Sequence, residues 1–152
     1  MRTLARLAFW CFALLVFVST HWPNLNVSSE RIPRVDLAIH SPTFGMWALL
    51  LIGAGYFARG AREPIAESGG LRGWLAIVLT PRNVLISGLV AIAYAIFDES
   101  TQAIPGLGRT AAWDDFAANA TGIVMAVVAA LVIGRLLAPL LGGRRNERMT
   151  DA

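Results

Sequence analysis

Four apolar runs, each close to the length needed to cross a bilayer, constrain this chain more than any motif does. They cover about residues 4–20, 42–58, 83–102 and 115–141. Spanning ~30 Å of hydrocarbon as an α-helix takes about 20 residues. Inside lipid every backbone N–H and C=O must be satisfied within the protein, so only helices and closed barrels can cross. The runs are continuously apolar, as in "LARLAFWCFALLVFVST" and "VLISGLVAIAYAIF", and do not alternate. Helices are therefore predicted. The composition agrees: 56% of the 152 residues are hydrophobic and 15% charged, against ~45–50% and ~25% in soluble domains. The expected fold is an all-α, integral membrane four-helix bundle, forming a single domain over residues 1–152.

Local signals set the expected boundaries. Ser41 is placed to cap the second helix and Pro42 suits its first turn. Pro81 precedes the third span, which carries Asp98 to Gln102 into the interface. Asp114 or Asp115 opens the fourth, and Pro139 lies near its end. The segment "GWLAIVLT", residues 73–80, is too short to span; it reads as an interfacial helix or an early start of the third span. The first run, preceded by Arg2 and Arg6, has the outline of a signal peptide, but "VSTHWPN" offers no A-x-A-like cleavage site after it.

All thirteen basic residues are arginines, for a net charge of +3. With no RNP, zinc-finger or helix-turn-helix signature, this charge points to membrane orientation and not to nucleic acid. Nine arginines (2, 6, 59, 62, 72, 82, 144, 145 and 148) fall at one side of the expected spans, and three (31, 34 and 109) at the other. The positive-inside rule then places both termini and the 59–82 loop in the cytoplasm. Arg135, within the last span, can snorkel inward. Cys11 is the only cysteine, which leaves no intrachain disulfide or thiolate cluster.

Against this background "DESTQAIPGLGRTAAWDDFAANATG", residues 98–122, is anomalous: four acids and an arginine join two strongly apolar spans. At 100° per residue, Gly88, Ala91, Ala95, Glu99 and Gln102 share an arc of about 80°, as do Asp115, Asn119, Gly122, Ala126 and Ala130. Small residues mark close helix packing in membranes. The two small faces should meet, and their polar continuations should point into the outer end of the bundle. Ionisable groups so placed are functional-site candidates; their alternative is a structural clasp between spans. Asp98 and Asp114 lie off these arcs and read as solvated headgroup-level charges, with Asp114 a helix cap. His21, beside Trp22, reads as interfacial, as do Trp74 and Trp113. Arg109 is the expected hub, holding Glu99 and Asp115 by charge-assisted hydrogen bonds.

The same residues resemble the signature of the VanZ-like family of small bacterial membrane proteins. Asp98, Glu99 and Gln102 match its D-E-x-x-Q. Arg109, Asp115, Asn119 and Gly122 match the segment after its P-G-R turn, and Asp36 and His40 match its D-x-x-x-H element, with Phe44 one turn on. Two departures are Leu37, where the family has lysine, and "PGLGR" in place of P-G-R. The resemblance implies a multi-pass protein of the bacterial inner membrane with an outward-facing site. It implies a role at the cell envelope, in the direction of resistance to the glycopeptide teicoplanin. Its implied partners are membrane lipids and a lipid-linked or lipid-anchored envelope molecule. Two alternatives stand beside it: an enzyme acting on an envelope lipid or lipid-linked precursor, with Arg109 on a phosphate and Glu99, Asp115 or His40 moving protons, and a scaffold of an envelope-assembly complex. No Walker loop, G-x-G-x-x-G, G-x-S-x-G, EF-hand or H-x-x-x-H spacing is present, so no cofactor or metal is expected.

Overall fold

The computed structural model of the protein describes residues 1–22, 35–58, 70–104 and 112–141. Five helices occupy them: α1 (Arg2–Thr20), α2 (Val35–Ala54), α3 (Leu71–Val78), α4 (Pro81–Gln102) and α5 (Trp113–Leu141). α1, α2, α4 and α5 are long and apolar enough to cross a membrane. The chain is thus an all-α membrane protein.

α2 stands at the centre and packs against α1, α4 and α5. Its residues Phe44, Trp47, Ala48, Leu51 and Ala54 form the middle of the core, joined by Ala91 and Ala95 from α4 and Ile123 and Ala126 from α5. α1 contributes only Phe9 and Val16 to the buried set and otherwise presents its apolar side chains outward, as a lipid-facing helix does.

Two boundaries differ from expectation, and one open alternative is decided. α2 begins at Val35 and not at residue 42, so Pro42 lies inside it. Proline removes one backbone donor and frees the Ala38 carbonyl, an interruption that membrane helices tolerate because neighbouring groups re-satisfy the backbone. α2 also stops at Ala54 instead of 58. Gly55 follows with φ +64, a left-handed value that glycine adopts without a Cβ penalty, and its N–H donates to the Ile52 carbonyl at 3.1 Å. Of the two alternatives for the 73–80 segment, the early start of the third span is excluded: α3 is a separate eight-residue helix ahead of α4, whose first residue is Pro81.

The end of the bundle where α2 finishes and α4 begins is held by a buried asparagine. The Asn83 Nδ2 donates to the Ile52 carbonyl at 2.9 Å and the Val78 carbonyl at 2.8 Å, while its Oδ1 accepts the Phe57 N–H at 3.1 Å. One side chain thus satisfies backbone groups that the ends of α2 and α3 leave open. Trp74 Nε1 donates to the Gly53 carbonyl at 3.1 Å, which fastens α3 to the same place.

The helix crossing that sets the bundle's shape is α2 on α5. A Cβ built on Gly122 would collide with the Ser41 carbonyl, and one on Gly45 would lie 3.0 Å from the Gly122 oxygen. Two glycines therefore let the backbones touch. This corrects one expectation: the small face of α5 does not meet that of α4 at Gly122, because α2 takes that place. Further along, α4 reaches α5 where Gly88 faces Val127.

Candidate functional site

At the opposite end from Asn83, the C-termini of α1 and α4 meet the N-terminal parts of α2 and α5. Each helix supplies polar groups there. Asp98 is fully buried. Its Oδ1 accepts a hydrogen bond from the Thr20 hydroxyl at 2.7 Å, and its Oδ2 accepts one from Gln102 Nε2 at 3.0 Å. His21 stands 3.8 Å from the same carboxylate, and its Nε2 pairs with the Thr101 hydroxyl at 2.7 Å. The Tyr94 hydroxyl is buried close by without a hydrogen bond of ordinary geometry. Asp98 therefore corrects the sequence expectation: it is not a solvated headgroup-level charge, and together with Thr20 and His21 it binds α1 to α4.

The reason is geometric. The arc drawn through Gly88, Ala91, Ala95 and Glu99 marks only one side of the buried face of α4. Asn83, Ser87 and Asp98 are buried as well, and they widen that face to about 160° at 100° per residue. Asp98 falls nearer its middle than Glu99 does.

Glu99 is held differently. Its Oε1 accepts the Ala112 N–H at 2.6 Å, where the chain enters α5. Its Oε2 is buried and has no hydrogen-bond partner among the described residues. Buried polar atoms are rarely left so. Glu99 also lines a groove of about 360 Å³ between α4 and α5, whose other walls are Ile96, Ser100, Ala112, Trp113 and Phe116. Ile96 and Trp113 are exposed on the outer surface of the bundle, Trp113 at 87%. The groove consequently opens on the outer surface past Ile96 and Trp113, with a carboxylate in an apolar wall.

His40 and Asn119 join α2 to α5 at the same level, with His40 Nδ1 at 2.9 Å from Asn119 Oδ1. In this orientation the ring Nδ1 is the donor, and the buried Asn119 Nδ2 has no partner among the described residues. The imidazole lies within electrostatic reach of both Asp98 and Glu99, and Asp115 within reach of Glu99. Asp114 is exposed in the first turn of α5.

Of the residues singled out in the sequence, His40, Glu99, Gln102, Asp115 and Asn119 are thus gathered at one end. Gly88, Ala91, Ala95, Gly122, Ala126 and Ala130 are all buried beneath them. Asp36 falls in the first turn of α2, its side chain outside what is described. Arg109, the expected hub, lies outside the described residues. Thr20 and Thr101 were missed, since a threonine near a helix end carries no sequence signal beyond its type. Among the described residues no three His, Cys, Asp or Glu side chains converge as metal ligands.

The arrangement separates two neighbouring carboxylates by task. Asp98 has both oxygens occupied by donors from its own chain, as a structural clasp requires. Glu99 keeps one oxygen without a hydrogen-bond partner among the described residues. Compared with protein-family models, characterised proteins and solved structures, the chain matches none.

Proposed function

We propose that this is a multi-pass protein of the bacterial cytoplasmic membrane, of the VanZ-like kind, that engages a lipid-anchored or lipid-linked envelope molecule at the outer membrane surface. The observation that carries the reading is Glu99: a buried carboxylate, one oxygen fixed by the Ala112 N–H and the other without a partner among the described residues, set in a groove that opens on the outer surface of the bundle. A ligand delivered by lateral diffusion reaches such a groove without crossing water, and its apolar part fits walls made by Ile96, Trp113 and Phe116. The orientation follows from charge. Arg2, Arg6, Arg72 and Arg82 belong to the helix ends away from the site, whereas Asp98, Glu99, Asp114 and Asp115 lie at the site's end, the distribution the positive-inside rule assigns to cytoplasm and exterior. Four crossings then leave both termini in the cytoplasm.

Under this reading, expression in a susceptible bacterium raises tolerance to an acylated glycopeptide such as teicoplanin and not to a glycopeptide lacking the acyl chain. Glu99→Gln, which keeps the shape and removes the charge, should abolish the effect, and Asp114→Asn should keep it. A wild-type chain without effect, or Glu99→Gln matching wild type at equal membrane abundance, would refute it.

A further inference from the structure

A second cleft, of about 650 Å³, runs between α1 and α4 over the surface of α2. Its walls include Phe9, Leu14, Phe17, Trp47, Val90 and Tyr94. The size lies within the ~300–1,000 Å³ of ordinary ligand sites, and from Phe9 to Phe17 it extends about 12 Å at 1.5 Å per residue. Its two ends are unlike. At one, the Thr20–Asp98 and His21–Thr101 hydrogen bonds draw α1 onto α4 and close it. At the other stands Arg6, with its guanidinium 4.8 Å above the Tyr56 ring and its Nε donating to the Ala54 carbonyl at 3.3 Å. Tyr56 is itself fixed by Trp10, whose Nε1 donates to the phenol oxygen at 2.8 Å.

We infer that the cleft between α1 and α4 holds one hydrocarbon chain of an anionic phospholipid whose phosphate rests on Arg6. The guanidinium has five N–H donors, of which the Ala54 carbonyl uses one. The terminal N–H groups make no hydrogen bond among the described residues, and their planar fork matches a phosphate. Stacking on Tyr56 holds the fork in place before any lipid arrives. Trp10 and Tyr56 are the side chains that settle at headgroup depth, directly above the apolar walls. Arg2, one turn before Arg6, adds a second positive charge, so an anionic headgroup is favoured over a zwitterionic one whose ammonium would face cations. The polarity of the cleft also selects the leaflet. A lipid entering from the other surface would meet the closed, hydrogen-bonded Asp98 end. This inference does not depend on the reading of the Glu99 groove.

The test uses the full chain in nanodiscs of phosphatidylcholine containing either phosphatidylglycerol or phosphatidylethanolamine, with native mass spectrometry and thermal unfolding as readouts. One phosphatidylglycerol should remain bound per chain and raise the melting temperature, and phosphatidylethanolamine should do neither. Arg6→Gln should reduce retention about tenfold, as the loss of one charge-assisted pair predicts. Because Arg6 also caps α2, Leu14→Trp supplies a second variant: it fills the cleft from an exposed position with Arg6 untouched, and should lose the lipid as well. Equal retention of the two lipids, wild-type retention by either variant, or a dimer mass in place of bound lipid would overturn the inference.

Discussion

Replacing Gly122 with alanine adds one methyl group, and the structure says where it would go. The new Cβ would lie 2.7 Å from the Ser41 carbonyl carbon and 3.1 Å from the Gly45 nitrogen. Carbon atoms in ordinary contact stand about 3.5–4.0 Å apart, and both obstacles are backbone, so no side chain can swing aside. α5 must retreat from α2 by roughly 1 Å, a gap at which a van der Waals contact forfeits up to about half its energy. The interface that opens includes Phe44, Ala48, Ile123 and Ala126, which are all buried in one cluster. Overpacking of a well-filled core costs about 1–3 kcal/mol, and the rigid obstacle puts Gly122→Ala at the upper end, about 3 kcal/mol. At ~2–4 °C per kcal/mol for a chain of this size, the melting temperature should fall by roughly 6–12 °C. The internal controls are graded. Gly45→Ala meets the Gly122 oxygen at 3.0 Å and should cost less, while Gly53→Ala meets only the Trp74 ring at 3.5 Å and should be neutral or stabilising by about 0.5–1 kcal/mol from helix propensity. Thermal unfolding of the three variants in one detergent measures the series. Gly122→Ala melting with wild type, or below it by no more than Gly53→Ala, would refute the close α2–α5 crossing.

Thr20→Val should cost about 1.5–3 kcal/mol by depriving buried Asp98 of a donor, and its effect should be non-additive with Asp98→Asn in a double-mutant cycle of unfolding; additive losses would mean that the bond between α1 and α4 contributes nothing. Asn83→Leu leaves the Ile52 and Val78 carbonyls and the Phe57 N–H without their partner, so a loss of about 2–4 kcal/mol is expected from the same assay, and wild-type stability would argue against the clasp. Reporter fusions after Ile65 and at the C-terminus should report cytoplasm and a fusion near Pro105 the exterior, whereas a cytoplasmic signal at Pro105 would overturn the proposed orientation.

Hydropathy, length and the lack of alternation were enough for the four long helices and the all-α class, because lipid admits only helices and closed barrels and a barrel strand alternates. The buried face of α5 was equally legible: Asn119, Gly122, Ile123, Ala126 and Ala130 are all buried, and each falls on or beside the small-residue arc. Periodicity tells which residues of one helix look the same way. It does not tell which helix they look at. Spacing puts Gly122 on a packing face but cannot name its partner, which at that height is α2, through Ser41 and Gly45. Asp98 reads from spacing as a solvated headgroup-level charge because the width of the buried face of α4 depends on how many helices surround it, and α1 with Thr20 closes over the side that a two-helix picture leaves open. The early start of α2 at Val35 hid behind Pro42, a residue that ends helices in water and is carried within them where neighbours supply the missing contacts. The acid-rich end, its amide and imidazole, and the small residues beneath them were thus written in the chain. That Thr20 takes one oxygen of Asp98, and that Glu99 takes the Ala112 N–H while its second oxygen has no partner among the described residues, was decided only by the tertiary arrangement, because these bonds join groups 78 and 13 residues apart that no local pattern brings together; only the Gln102–Asp98 bond, four residues apart on α4, is local.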